Sequence, residues 1–161
     1  MNQLKTIKTY PVIIALFLFS HAVQAQKQLS NWYFGTKVGL NFNATPPQVL
    51  SNGNGNSVEG CATISDGNGD LLFYTNGVKI VNKQHETMLN GDNILGDLSS
   101  TSGVIIVPQS GSNSIYYVFT IGSAGQSLKG FKYNVVDITR NGGLGEVTQK
   151  NVYSMKTVMK K

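Results

Sequence analysis

The stretch EGCATISDGNGDLLFYTNG, residues 59–77, decides the fold. A short mixed run over 61–65 gives way to Asp66, Gly67, Asn68 and Gly69, residue types that turn chains at little cost. The chain then enters the unbroken apolar run Leu71-Leu72-Phe73-Tyr74. Two strand-like runs joined through a Gly/Asn turn predict a β-hairpin. A strand with apolar residues at consecutive positions has no face suited to water, so the second arm needs cover on both sides.

The same pattern recurs downstream. GVIIVPQSGSNSIYYVFT, from Gly103, is again a strand, a small-residue turn and an apolar and aromatic strand. Ile64 superimposes on Ile106, 42 residues later, and Leu72 on Tyr116, 44 later. A period in the low forties with about four strands per unit is that of propeller blades. Further β-branched and aromatic runs lie between Gly, Asn and Ser clusters, giving candidate strands at 32–34, 38–42, 61–65, 71–75, 78–82, 104–107, 115–121, 131–138 and 146–152. PPQVLSNGNGNS, 46–57, reads as a loop because of its paired prolines and alternating Asn and Gly. Beyond residue 25 no dozen positions show helical apolar spacing. The expected fold class is all-β: a partial propeller-like array of about two four-stranded antiparallel blades. A small independent β-sandwich is the weaker alternative, disfavoured by the repeat.

Residues 1–25 form a separate expectation. Lys5 and Lys8 precede the apolar run 12–20, and Val23 and Ala25 supply small residues before Gln26. That is the layout of a secretory signal peptide, handled by the Sec export machinery. The nine-residue apolar run 12–20 is too short to span a bilayer, which takes about 20 residues, so no transmembrane segment is expected. The expected mature chain, 26–161, carries eleven basic against eight acidic side chains, a net +3. Lys150, Lys156, Lys160 and Lys161 supply four of those positive charges at one end, so the body is near neutral and shows no basic, aromatic-interleaved stripe for nucleic acid. Charged residues are 13% of the chain, about half the usual share, while Gly numbers 18 and Asn 16. One cysteine cannot make an internal disulfide. Stability outside the cytoplasm therefore rests on packing or on a bound ion.

At NWYFGTKVGLNFN (31–43), EGCATISDGNGDLLFYTNG (59–77), IIVPQSGSNSIYYVFTI (105–121) and GGLGEV (142–147) the sequence closely resembles the N-terminal region of a family of large secreted Bacteroidetes proteins. These carry a type B sorting domain for the type IX secretion system and are often called gliding-motility-associated or PKD-domain proteins. The resemblance covers nearly all of 26–161. It implies a propeller-like N-terminal domain followed by further modules and a C-terminal sorting domain, and it supplies no catalytic residues. The 161 residues are thus expected to be the N-terminal part of a longer domain, exported to the periplasm, the cell surface or beyond.

Several residues invite chemistry. Asp66, Asn68 and Asp70 alternate like the oxygen ligands of a calcium loop, but Leu71 and Gly77 stand where an EF-hand needs its Gly and Glu. The hairpin turn is the favoured reading, with calcium the alternative cofactor. SDGNGDLLF also approaches the Asp-box hairpin of sialidase-type propellers, off in spacing, and such a box argues fold, not catalysis. Trp32 and Tyr33 are candidates for stacking on a glycan partner; an edge strand closing onto a neighbour is preferred. Cys61 and His85 are the sole cysteine and the sole histidine after residue 25, yet no spacing brings them together as nucleophile and base. The expected function is a non-enzymatic secreted or cell-surface binding or scaffold module, with an extracellular glycan or protein as partner. The alternative is the N-terminal part of a propeller-based hydrolase of extracellular glycans, its catalytic groups elsewhere.

Overall fold

The computed structural model describes residues 27–122 and 130–154. The expected signal peptide and the basic end at Lys156, Lys160 and Lys161 lie outside them. Among the described residues the chain is all-β apart from single helical turns at Lys27–Leu29 and Arg140–Gly143, and it folds as three antiparallel sheets taken in chain order. The first holds β1 (Asn31–Phe34), β2 (Val38–Asn41) and β3 (Gln48–Leu50). The middle holds β4 (Ala62–Ser65), β5 (Leu71–Thr75) and β6 (Ile80–Asn82), extended by a bridge between Val81 and Thr87. The last holds β7 (Val104–Pro108), β8 (Ile115–Ile121), β9 (Phe131–Asp137) and β10 (Glu146–Tyr153). No helix among the described residues is long and apolar enough to cross a membrane.

Two expectations need correcting. The sequence repeat marked two units, whereas the described residues form three sheets. The stretch 46–57, read as all loop, contains β3. Pro46 and Pro47 precede that strand instead of interrupting it, and β3 is the sheet edge, where a proline costs no ladder bond.

The middle sheet is buried on both faces, as its sequence demanded. Neighbouring side chains on β5 point opposite ways. Phe73, fully buried, meets Tyr116 of the last sheet edge-on at 5.5 Å, within a core that includes Ile64, Ile80, Val118 and Val136. Tyr74 instead stacks on Tyr33 of the first sheet at 4.6 Å, with Val81, Leu50 and Leu71 around the pair. Burial of a side chain the size of Phe73 contributes about 2–3 kcal/mol. The 83–103 connection closes the first of these cores with Met88 and Ile94. It is held there by backbone bonds from Met88 N–H to the Ile80 carbonyl and from Ile94 N–H to the Val78 carbonyl.

Candidate functional site

The turn between β4 and β5 binds its own backbone. Asp66 Oδ1 accepts the N–H groups of Asn68 at 2.8 Å and Asp70 at 2.9 Å, an Asx-type turn. The Gly69 carbonyl accepts from Asn31 Nδ2 at 2.7 Å and from Asn43 Nδ2 at 2.9 Å, both reaching from the first sheet. Asn31 Nδ2 also donates to Ser65 Oγ at 3.0 Å. Gly69 has φ +95°, and a Cβ there would collide with the Asn43 amide, so two separate constraints require glycine. Of the candidate calcium ligands, Asp66 Oδ1 is thus engaged by the backbone of its own turn, while the Gly69 carbonyl joins the middle sheet to the first. Among the described residues no three His, Cys, Asp or Glu side chains gather as a metal group.

Between the first and middle sheets lies a polar clamp that the sequence did not announce. Tyr33 Oη donates to Asn52 Oδ1 at 3.0 Å, and Asn52 Nδ2 lies 2.8 Å from His85 Nε2. With Asn52 so oriented, Nε2 is the acceptor and the proton sits on Nδ1, which lies 3.3 Å from Tyr74 Oη. Tyr74 Oη also accepts the Asn54 N–H at 2.7 Å, while Asn54 Nδ2 donates to the His85 carbonyl at 2.9 Å. Burial raises the pKa of Tyr33, helped by Tyr74 and opposed by the bond to Asn52. Burial likewise raises that of Tyr74, against the Asn54 bond, and lowers that of His85. The clamp is therefore neutral near pH 7 and fastens the Asn-Gly loop over the Tyr33–Tyr74 stack. Gly53 lets that loop approach, since a Cβ there would sit 2.9 Å from the Tyr33 ring.

The two stacking candidates separate. Tyr33 is 6% exposed and faces the middle sheet, whereas Trp32, 49% exposed, projects from the opposite face of β1 and leans on Phe42 at 5.0 Å. One sugar ring cannot engage both. Cys61 is equally far from the role of nucleophile: it lines an apolar trough, burial raises its thiol pKa, and the ring contacts of His85 are Tyr33 and Tyr74.

That trough is the most distinctive surface. It encloses about 680 Å³ along the first strands of the three sheets, from Leu29, Trp32 and Phe34 across Cys61, Ala62 and Thr63 to Ile105. It also joins two open faces. The register pairs Trp32 with Leu40, Phe34 with Val38 and Leu40 with Val49, so these residues share the face of the first sheet turned away from the middle one. Trp32, Phe34, Val38 and Val49 are all exposed there. On the last sheet, Ile105 pairs with Phe119 and Phe119 with Tyr133, while Val107 pairs with Tyr117 and Ile121 with Phe131. This is again the face away from the middle sheet, and Ile105, Val107, Ile121 and Phe131 are exposed on it. Phe119 stacks on Phe131 at 5.5 Å, and Tyr117 meets Tyr133 edge-on at 5.9 Å. The signal for the last face was present, because the run 115–121 is apolar throughout. The first face was hidden by the brevity of β1 and β2.

No protein-family model matches this chain, and neither curated proteins nor solved structures provide a match. The functional reading therefore rests on the sequence and on this geometry.

Proposed function

We propose that this chain is a non-enzymatic binding or scaffold module of an exported protein, built as an incomplete β-propeller-like array. Each sheet acts as one blade, and the two end blades pack against further sheets supplied by a larger assembly. The observation that carries this reading is the pair of apolar faces at opposite ends of the stack, joined by the trough. Blades of a propeller place their first strands around the axis and bury both faces against neighbours. Here β1 packs beside β4 and β4 beside β7, and the middle sheet alone has both neighbours. Contiguous apolar patches of several hundred Å² mark interaction surfaces. The charge and apolar pattern of residues 1–25 supports export, and the resemblance to gliding-motility-associated proteins supports the cell surface as destination.

The test is the behaviour of residues 26–161 alone at high micromolar concentration. The open faces should drive association, and Trp32→Glu or Ile105→Glu should weaken it. A monodisperse monomer that unfolds cooperatively would refute the proposal, because the faces would then need no cover.

A further inference from the structure

We infer that a second copy of this chain is the partner that closes the ring, an inference that rests on the blade reading above. The three sheets of the described residues fall short of the roughly four to eight blades of closed propellers, whereas the six of two copies fall inside that range. The stack has two unlike open faces, one on the first sheet and one on the last. A two-fold axis along the trough would set the first sheet of each copy against the last sheet of the other, so one operation covers both faces of both chains. The trough, lined from all three sheets, lies on the side facing that axis.

The chemistry of the two faces agrees. Trp32, Phe34, Val38 and Val49 on one would meet Ile105, Val107, Ile121 and Phe131 on the other, and none of the eight is charged. Their exposed parts come to roughly 400 Å² on the first face and roughly 350 Å² on the last, together close to the ~800 Å² per partner of a stable interface. The large aromatics at the centre, Trp32 on one side and the Phe119–Phe131 stack on the other, are the residue types that anchor interfaces.

The experiment is the solution mass of residues 26–161 by light scattering, with far-UV circular dichroism to show that each variant keeps its strands. The expected mass is twice that of one chain. Trp32→Glu and Ile105→Glu should each give monomers, since every junction then carries one glutamate. Mixing the two variants should restore a dimer, because one junction then pairs two unaltered faces. Loss of the dimer in one variant with no effect of the other would overturn the inference, as it would signal a like-to-like contact. A ladder of growing masses would overturn ring closure. Aggregation relieved only by a longer polypeptide carrying further sheets would overturn the second copy as partner while leaving the proposed function standing. A folded, stable monomer would end both.

Discussion

Asn31 tests whether the Asp66–Asp70 turn serves as a joint between sheets. Its side chain is buried, 7% exposed, and donates to Ser65 Oγ and the Gly69 carbonyl. Asn31→Ala removes both bonds. Gly69 keeps Asn43 as donor, but Ser65, fully buried, loses the one side-chain partner that reaches it from the first sheet. Two lost bonds and a stranded hydroxyl should cost about 2–3 kcal/mol. Asn31→Asp should cost more at neutral pH, about 3–5 kcal/mol, since it sets a carboxylate against a carbonyl oxygen away from water. Its sign with pH is distinctive. The folded state would disfavour the charged form, raising the folded pKa above the unfolded value near 3.9, so the variant should regain stability as the pH falls toward that value. Urea titrations of residues 26–161 across pH 4–8, read by tyrosine and tryptophan fluorescence, measure this directly. If Asn31→Ala stays within about 0.5 kcal/mol of the parent chain, or Asn31→Asp shows no gain on acidification, the turn is not the joint described.

Two further outcomes are expected. Because burial lowers the pKa of His85, its neutral form contributes stability that is fully present above the unfolded value near 6.5 and is lost as the pH falls through the folded one. Melting temperatures between pH 8 and 5 should therefore drop for the parent chain and stay flatter for His85→Asn, a residue that also accepts the positive φ of 64° at this position. Asp66→Ala should cost about 1–2 kcal/mol, since Oδ1 accepts two backbone N–H groups, and millimolar calcium should shift the melting temperature of neither protein; a calcium shift present in the parent and absent in the variant would establish an ion site at the turn instead.

The sequence was most informative where side-chain period and burial coincide. The bounds of β5 and β8 agree with the runs 71–75 and 115–121, because consecutive apolar residues between turn formers leave little freedom in placing a strand. The same rule says that both strands need cover on two faces. β5 has it, whereas β8 alternates between buried Tyr116, Val118 and Thr120 and a more open face with Tyr117, Phe119 and Ile121. That difference carries the functional proposal. β3 escaped notice because three residues beside two prolines offer no period to read. The clamp of Asn52, Tyr33, Tyr74 and His85 was equally illegible, since it joins positions up to 52 residues apart through polar groups that look like turn formers in isolation.

The low charge and the abundance of asparagine have a common cause in how the sheets and their connections are held together. Contacts within and between the sheets here need groups that donate and accept inside or near the core, and an ion pair there would carry a large desolvation cost. An amide meets both needs without charge. Asn134, fully buried, donates to the Val118 carbonyl at 3.1 Å and accepts the Asn151 N–H at 2.8 Å, where the β9–β10 register shifts. Asn151 then accepts the Leu95 N–H at 2.8 Å and donates to the Asn93 carbonyl at 3.0 Å, tying the 83–103 connection to β10. Asn31 and Asn43 do the same between the first and middle sheets, and Asn52 and Asn54 at the clamp. Acidic groups are thereby left to turns and the rim, as with Asp137, whose carboxyl is held below its usual pKa by hydrogen bonds from Thr139. A stack joined by amides through its interior and offering apolar faces at its ends depends little on salt. The proposed association should therefore persist at high ionic strength, where a charge-driven interface would weaken.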